Sequence, residues 1–293
     1  MRYFPLMKKV ALITWSGLLG GAESERLLLP HLAAAGVEPQ IVDWRTAGVS
    51  LSAFDLVVLR SCWDYHLRGA EFTEWLLLTA NSVPVLNDVK TVLWNRNKFY
   101  LGELAAMGIE IAPTVFVNGS GPITPSAWQE IRSWKKCVVK PAVSASAHKT
   151  WLLDGAAVPD ENELKSKMEG EAFLIQQFIP EIETQGEISF IYIDGGYSHA
   201  VLKRPASGDF RVQKEHGGSA ELLHPDSDLV DQANEIAVTV PQVRDSLYCR
   251  IDAVARSGKL VLMELELIEP ELFLGLAEGT AERFARAISR RLM

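Results

Sequence analysis

One stretch near the end of the chain can fold in few ways. Residues 260–267 read Leu-Val-Leu-Met-Glu-Leu-Glu-Leu, which predicts a strand. Because successive side chains of a strand point to opposite faces, Glu264 and Glu266 are expected on one face. The other face is predicted to take Val261, Met263, Leu265 and Leu267. Two neighbouring carboxylates repel each other unless solvent, a cation or a metal neutralises them. The tract therefore predicts a strand whose acidic face binds positive charge.

A second tract supplies the complementary charge. Residues 137–141 read Cys-Val-Val-Lys-Pro, so Lys140 ends a β-branched run that a proline stops. A loop of small residues follows, and Ser144 and Ser146 lie in it. Small side chains let backbone N–H groups approach an anion, and the hydroxyl groups add donors. With Lys98 on a helix predicted over residues 89–107, these residues indicate a phosphate site, and the acids indicate Mg²⁺. The combination predicts nucleotide chemistry.

The first 86 residues alternate predicted strands with helices. Strands are expected at residues 9–15, 40–44, 55–60 and 83–86, and helices at 22–35 and 69–80. This order predicts a parallel sheet covered on both faces, whose functional residues follow the carboxyl ends of strands. The candidate substrate contacts at such an end are Arg60, Trp63, Asp64 and Tyr65.

The later sequence predicts antiparallel hairpins, and the last hairpin turns near Ser257-Gly258. A two-residue turn would place Asp252 opposite Met263, whereas a three-residue turn would place it opposite Glu264. A metal site built from three carboxylates requires the second register.

Composition excludes several classes of protein. The 293 residues are 48% hydrophobic and 23% charged, as in an ordinary globular protein, and the net charge of −8 argues against a nucleic-acid or acidic-membrane binder. The three cysteines show no metal or disulfide spacing. No signal-peptide pattern and no run of about 20 apolar residues is present, which predicts a cytoplasmic protein.

The order of these tracts resembles the ATP-grasp superfamily, particularly its glutathione-synthetase-like branch. That resemblance implies an ATP-grasp fold, α/β and α+β in class, with an N-terminal parallel-sheet pre-grasp domain. It also implies three domains: the substrate-binding pre-grasp domain at residues 1–88, a central lid at 89–180, and a C-terminal domain with the metal site at 181–293. Four further tracts are similar to the O-ureidoserine cyclo-ligases of D-cycloserine biosynthesis and their uncharacterised relatives: RSCWDYHLR, VLWNRNKFYL, SHAVLKRP and GDFRVQKEHGG.

The resemblance also implies roles for individual residues. Lys98 and Lys140 would bind the α- and β-phosphates of ATP, and the loop with Ser144 and Ser146 would cover the triphosphate. The residues implied around adenine are Gln176, Gln177, Phe178 and Ile179. Either Glu183 or Glu187 would bind the ribose. Asp252, Glu264 and Glu266 would coordinate two Mg²⁺ ions. Arg211 would stabilise the transition state that leads to an acyl-phosphate, and Arg250 would contact phosphate.

The implied reaction is ATP-dependent formation of a carbon–nitrogen bond on a small amino-acid-like acid, and a homodimer is implied too. Two departures from the family pattern stand out: the phosphate loop lacks glycine, and Glu266 stands where asparagine is frequent.

One alternative function is that of a nucleotide-cofactor oxidoreductase, because residues 17–21 follow the first strand and Asp43 lies near the place of a ribose-binding acid. The GxGxxG order of such enzymes is absent, however. Another is a non-catalytic nucleotide-binding relative, against which both lysines and all three carboxylates are present.

Overall fold

Three β-sheets organise the chain in the computed structural model, which describes residues 7–46, 50–119, 121–154 and 157–292. The N-terminal sheet is parallel, with strand order β2-β1-β3-β4. Its strands are β1 (Lys8–Thr14), β2 (Val37–Asp43), β3 (Leu56–Leu59) and β4 (Val85–Leu86). Helices α1 (Glu23–Ala34) and α2 (Gly69–Ala80) cover its two faces. The predicted parallel α/β layer is therefore confirmed.

Two short helices follow where the sequence predicted one helix over residues 89–107. They are α3 (Val89–Asn95) and α4 (Tyr100–Ala106), and Lys98 lies in the turn between them rather than on a helix. The helix breaks because its polar groups bond elsewhere: the Lys98 N–H donates to Ala142 O (2.8 Å), and the Asn95 side chain bonds Leu265 O and Leu267 N. Both helices pack on the C-terminal sheet.

The central sheet is antiparallel, in the order β5-β8-β6-β7. Its elements are β5 (Thr114–Val117), α5 (Pro125–Ser133), β6 (Lys136–Pro141), β7 (Trp151–Asp154), α6 (Glu161–Lys167) and β8 (Phe173–Gln177). Ile131 and Leu164 of the two helices pack into its core. Strand β7 lies where the sequence predicted only a polar loop.

The C-terminal sheet is antiparallel, in the order β11-β10-β9-β12-β13. This part contains α7 (Glu181–Thr184), β9 (Glu187–Ile193), β10 (Gly196–Arg204), β11 (Ser219–Leu223), α8 (Ser227–Thr239), α9 (Pro241–Arg244), β12 (Tyr248–Arg256), β13 (Lys259–Glu266) and α10 (Thr280–Arg290). One face packs on α4 and α8. The opposite face begins with apolar contacts to α1 and α10, and farther along it carries charged residues. None of the helices in the described ranges is long and apolar enough to cross a membrane.

The last hairpin combines a tight turn with a β-bulge. Arg256 pairs with Lys259, so the turn has two residues, yet Asp252 still lies opposite Glu264. The register shifts between Asp252 and Ala253 because Met263 is an extra residue in β13. The expectation that a two-residue turn places Asp252 opposite Met263 is therefore wrong.

The bulge also changes which side chains share a face of β13. Leu260 and Leu262 join Leu265 and Leu267 in one core, whereas Val261 and Met263 pack in a separate cluster with Ile179. The predicted grouping of Val261 and Met263 with Leu265 and Leu267 is therefore wrong. Because one extra residue reverses the alternation, the whole apolar side of the strand changes at this point.

Candidate active site

A cluster of charged side chains lies on one face of the C-terminal sheet. Register places its members on neighbouring strands: Asp252 is paired with Glu264 on one side and Ser189 on the other, Arg250 with Glu266, and Lys203 with Glu187. The predicted acids and Arg250 thus lie together, and strand pairing explains why.

Asp252 is the most firmly held carboxylate of the cluster. Arg250 Nε and Nη2 donate to it over 3.0–3.1 Å, and Ser189 Oγ and Lys203 Nζ approach Oδ1. The side chain is 3% exposed. Burial alone would raise the pKa of Asp252, but Arg250 and Lys203 outweigh that effect and hold it well below its usual value. Asp252 is therefore an anion at neutral pH.

Glu264 links the acids to the predicted phosphate-binding lysines. Lys98 Nζ donates to Glu264 Oε1 (2.7 Å) and to Ser144 O (2.9 Å). Although burial raises the pKa of Glu264, Lys98 and Lys140 lower it below the usual value. Lys140 has no ion-pair partner among the described residues, and burial lowers its pKa against the opposing charge of Glu264. Two lysines and a carboxylate therefore face each other between β6 and β13.

Glu266 and Glu187 are acids of the cluster whose pKa values are raised. Burial, with the charges of Asp252 and Glu264, raises the pKa of Glu266 to about 8, although its carboxylate contacts Arg250. Burial also raises the pKa of Glu187 against the charge of Lys203, its ion-pair partner. A carboxylate with a raised pKa in such surroundings gains stability when a cation binds nearby.

The donor chemistry of this cluster suits Mg²⁺, which prefers carboxylate oxygens. In the described parts of the chain, however, no three acidic, histidine or cysteine side chains are grouped as a metal site. Each of the three carboxylates has a protein cation beside it instead: Lys98 for Glu264, and Arg250 for Asp252 and Glu266. The residues fit the ion in type and in charge.

The small-residue loop reaches the N-terminal domain. Ser144 is 4% exposed and its carbonyl accepts from Lys98, whereas Ser146 is exposed. Val143 and Ala145 pack against the core beside α2, and the His148 ring lies 5.2 Å from the His66 ring. The loop therefore spans the space between the lysines and the N-terminal sheet.

The residues predicted around adenine and ribose are dispersed over one edge of the site. Gln176 is buried and donates to Thr114 Oγ1 (3.0 Å), and Gln177 is half-buried at the end of β8. Phe178 lies under Lys136, and Ile179 packs with Val254, Val261 and Met263 beside the charged cluster. Of the two ribose candidates, Glu187 belongs to the charged cluster and Glu183 is exposed on α7.

Arg211 lies outside the cluster as the chain stands. Its guanidinium is paired with Asp209, with Nη2 donating to Oδ2 over 2.7 Å. Both side chains are partly exposed on the connection between β10 and β11. The arginine is thus held by its own loop.

The four predicted substrate residues lie beside the cluster, but three are engaged with the protein. Arg60 is 1% exposed and stacks between the Tyr248 and Phe284 rings, with Glu25 as its ion-pair partner. Trp63 Nε1 donates to Glu269 O, and Asp64 accepts from Trp44 Nε1. Tyr65 is buried near Glu264, Glu266 and Glu269, whose charges add to burial in raising its pKa.

Sequence reasoning missed three residues of this region: Lys203, Ser189 and Glu269. Lys203 and Ser189 could have been found by extending the register of the hairpin turned at Asp194-Gly195, which pairs Lys203 with Glu187. Glu269 lies beyond the strand pattern, and no spacing pointed to it.

Comparison with known proteins indicates the family to which the chain is related. Residues 10–87 match the family described as D-cycloserine synthetase DcsG, N-terminal domain, and residues 138–270 match the RimK-like ATP-grasp domain. The chain is 27% identical to the cycloserine biosynthesis protein DcsG of Streptomyces lavendulae over 285 residues, 90% of this chain and 92% of that protein. This chain is an ATP-grasp ligase. Its charged face on the C-terminal sheet lies inside the matched ATP-grasp segment.

Solved structures support the same assignment of the ATP-grasp ligase. The crystal structure of D-cycloserine synthetase DcsG matches with a TM-score of 0.86 and 25% identity, covering 97% of this chain and 100% of the other. D-alanine–D-alanine ligase from Bacillus anthracis, complexed with ATP, matches with a TM-score of 0.65 and 16% identity over 97% and 98% of the two chains. The second likeness shows the fold alone.

Proposed function

We propose that this ATP-grasp ligase uses ATP and Mg²⁺ to activate the carboxylate of a small amino-acid-like acid as an acyl-phosphate, which a nitrogen then attacks. The observation that carries the proposal is the meeting of Lys98 and Lys140 with Glu264, beside Asp252 and Glu266. The likeness to D-cycloserine synthetase supports an O-ureidoserine-type cyclo-ligase, in which the attacking nitrogen belongs to the same molecule.

The lysines and arginines stabilise negative charge during phosphoryl transfer. Lys98 and Lys140 bind phosphate oxygens, and because they lie in a poorly hydrated site their charge acts strongly there. Arg250 is held by Asp252 and faces the same space, so it stabilises charge near the transferred group. Arg211 would have to leave its pair with Asp209 to take part in stabilising that charge.

Asp252, Glu264 and Glu266 would hold Mg²⁺. Held by these carboxylates, the metal would neutralise negative charge on phosphate during phosphoryl transfer. Glu266 stands where asparagine is frequent in the family. Burial raises its pKa, so a cation bound beside it would favour its charged form.

The loop that carries Ser144 and Ser146 covers the phosphates and excludes water, which protects the acyl-phosphate. Gln176, Gln177, Phe178 and Ile179 line adenine. Glu187 is the less favoured ribose partner, because Lys203 engages it; Glu183 is free of ion pairs among the described residues and exposed. The division at residues 1–88, 89–180 and 181–293, the homodimer and the cytoplasmic location belong to the same proposal.

Replacing Lys140 with alanine tests the nucleotide site. We expect Mg·ADP to raise the melting temperature of the wild type, and this rise to be lost in Lys140→Ala because the charge on phosphate is removed. Without nucleotide, the melting temperature of Lys140→Ala should stay within a few degrees of the wild-type value. Among the described residues Lys140 has no ion-pair partner that the substitution would leave unpaired. Lys135→Ala, an exposed lysine just before β6, is the matched control.

A wild-type response to Mg·ADP in Lys140→Ala would contradict the proposed phosphate site. Stabilisation by NAD(P)H, with none by Mg·ADP or Mg·ATP, would favour the oxidoreductase instead. Nucleotide binding without phosphate release on any tested acid would favour a non-catalytic relative.

A further inference from the structure

The backbone of residues 268–271 is held at every carbonyl by a different side chain. This short segment follows β13 and leads from Glu266 towards the N-terminal domain. The four hydrogen bonds are Tyr248 Oη to Ile268 O (2.8 Å), Trp63 Nε1 to Glu269 O (3.0 Å), Arg60 Nη2 to Pro270 O (3.0 Å) and Arg250 Nη1 to Glu271 O (3.1 Å). Four consecutive bonds of this kind fix the path of the backbone and the position from which each side chain leaves it.

These bonds explain two of the residues that the sequence marked as substrate contacts. Arg60 is almost fully buried between two aromatic rings, and its free nitrogens do not face solvent. The only hydrogen-bond donor of the Trp63 side chain, Nε1, donates to the Glu269 carbonyl. Both residues therefore act on the segment 268–271 and position it, rather than contacting a ligand.

The side chain that this segment presents is an acid without a partner. Glu269 is 8% exposed, and in the described ranges its carboxylate accepts no hydrogen bond and forms no ion pair. On one side, the charge of Glu269 adds to burial in raising the pKa values of Cys62 and Tyr65. On the other side, Glu269 interacts electrostatically with Glu266, Lys98 and Glu264. The carboxylate thus lies between the N-terminal domain and the proposed phosphate and metal residues.

A buried carboxylate normally has a cation or several donors beside it, because burying its charge alone is costly. The nearby protein cations are already engaged: Lys98 with Glu264, and Arg250 with Asp252 and Glu266. Burial, reinforced by Glu266 and Glu264, accordingly raises the pKa of Glu269 well above its usual value. The charged form of Glu269 is therefore favoured only when a further cation binds beside it, and a cationic ligand would supply that charge.

We propose that Glu269 binds the ammonium group of the amino-acid substrate, and that Trp63 and Arg60 position it for this role. The inference rests on the proposed ligase function and specifies its substrate: an acid that carries a free, positively charged amine. An ammonium held at Glu269 leaves the substrate on the side where Lys98 and Arg250 meet the acids, which is where its own carboxylate has to receive a phosphoryl group.

The test compares amino acids with their N-acetyl derivatives, starting with O-ureidoserine, as stimulants of phosphate release from Mg·ATP. The wild type should respond to the free amine and not to the acetylated form. Glu269→Gln should raise KM for the free amine about 10- to 100-fold, because one charge-assisted hydrogen bond is lost. Stabilisation by Mg·ADP and the Mg²⁺ midpoint should stay as in the wild type. Glu282→Gln, an exposed acid on α10, is the matched control.

Two further readouts separate binding from a structural role. Without ligand, Glu269→Gln should melt at or above the wild-type temperature, because the substitution removes an unpaired buried acid. Trp63→Phe should raise KM by a smaller factor with kcat little changed, since it loosens the segment without removing the carboxylate.

Several outcomes would overturn the inference alone: an unchanged KM in Glu269→Gln, a shifted Mg²⁺ midpoint that makes Glu269 a metal residue, or equal use of acetylated and free amino acids. Stabilisation by Mg·ADP with stimulation only by acids that lack an amine would also overturn it while the ligase proposal stands. If Mg·ADP fails to stabilise the wild type and no acid stimulates phosphate release, the proposed function itself fails, and the inference fails with it.

Discussion

Three non-glycine residues in the phosphate loop have left-handed backbones: φ is 50° at Ser146, 54° at Ala147 and 49° at Lys149. The sequence showed that this loop lacks glycine, and the structure shows that it nevertheless takes conformations that glycine adopts without steric cost. A Cβ atom in this region of φ costs roughly 1 kcal/mol per residue. The loop therefore holds strain that packing on the N-terminal domain has to offset.

Ala147→Gly should relieve part of that strain. We expect the free energy of unfolding to rise by about 0.5–1 kcal/mol, measured by urea denaturation, because glycine favours positive φ although it also loosens the unfolded chain. Ala145→Gly is the control: φ there is not positive, so the same change should destabilise by about 0.5–1 kcal/mol. Destabilisation of Ala147→Gly to the same extent would contradict the strain.

At the scale of single elements, the β12–β13 hairpin decides the geometry of the site. Its turn residues Ser257 and Gly258 have φ of 52° and 78°, as in the two-residue turns that suit twisted hairpins. The bulge at Met263 then sets which acids lie opposite Asp252. The bulge sets the register beside the acids, whereas the turn lies at the end of the hairpin. Stabilising the turn in the conformation that it already has should therefore leave the site unchanged.

Ser257→Asn tests this separation of turn and site. Asparagine followed by glycine is the preferred pair for such a turn, so we expect stability to rise by about 0.5–1 kcal/mol in urea denaturation. Stabilisation by Mg·ADP should be unchanged. Gly258→Val, which places a β-branched residue at positive φ, should instead lower stability. Weaker nucleotide binding in Ser257→Asn would show that the turn and the site are coupled.

At the scale of the whole molecule, buried polar side chains join the N-terminal and C-terminal sheets. Asn87 bonds Tyr248 O, Leu267 O and Leu247 N, and the Tyr248 hydroxyl shares its single proton between Leu59 O (2.6 Å) and Ile268 O (2.8 Å). Two histidines lie outside this group: the half-buried His66 after β3, and the buried His199 on β10. Burial lowers the pKa of His66, beside His148, and of His199, beside Arg283, to about 4.

These histidines make stability depend on pH. Their folded pKa lies below the unfolded value of about 6.5, so between these values the unfolded chain binds more protons. The full free energy of unfolding is therefore present above pH 6.5. It decreases as pH falls towards 4, because the unfolded chain then takes up protons that the folded chain does not. We expect the wild-type melting temperature to drop more than that of His199→Asn across this window. The exposed His224→Asn should follow the wild type; an identical drop in all three would contradict the effect.

Much of the fold was predictable because it depends on local pattern. The parallel N-terminal layer and the last hairpin follow from periodicity and from turn residues such as Ser257-Gly258. The division of residues 89–107 into two helices was not predictable, since the break depends on Asn95 and Lys98 bonding to distant strands. Strand β7 was not predicted, because it is only four residues long and lies in a polar part of the sequence.

The sequence alone determined the chemistry that this chain can offer: two lysines, one of them at the end of an apolar strand, alternating acids on another strand, and an order of tracts typical of ATP-grasp ligases. Tertiary structure decided which groups meet. Strand register placed Lys203 and Ser189 at Asp252, a bulge selected the face of β13, and four hydrogen bonds fixed the segment that carries Glu269. Residue types and spacing are local properties, whereas partnership between charges depends on distances that only the packed chain defines.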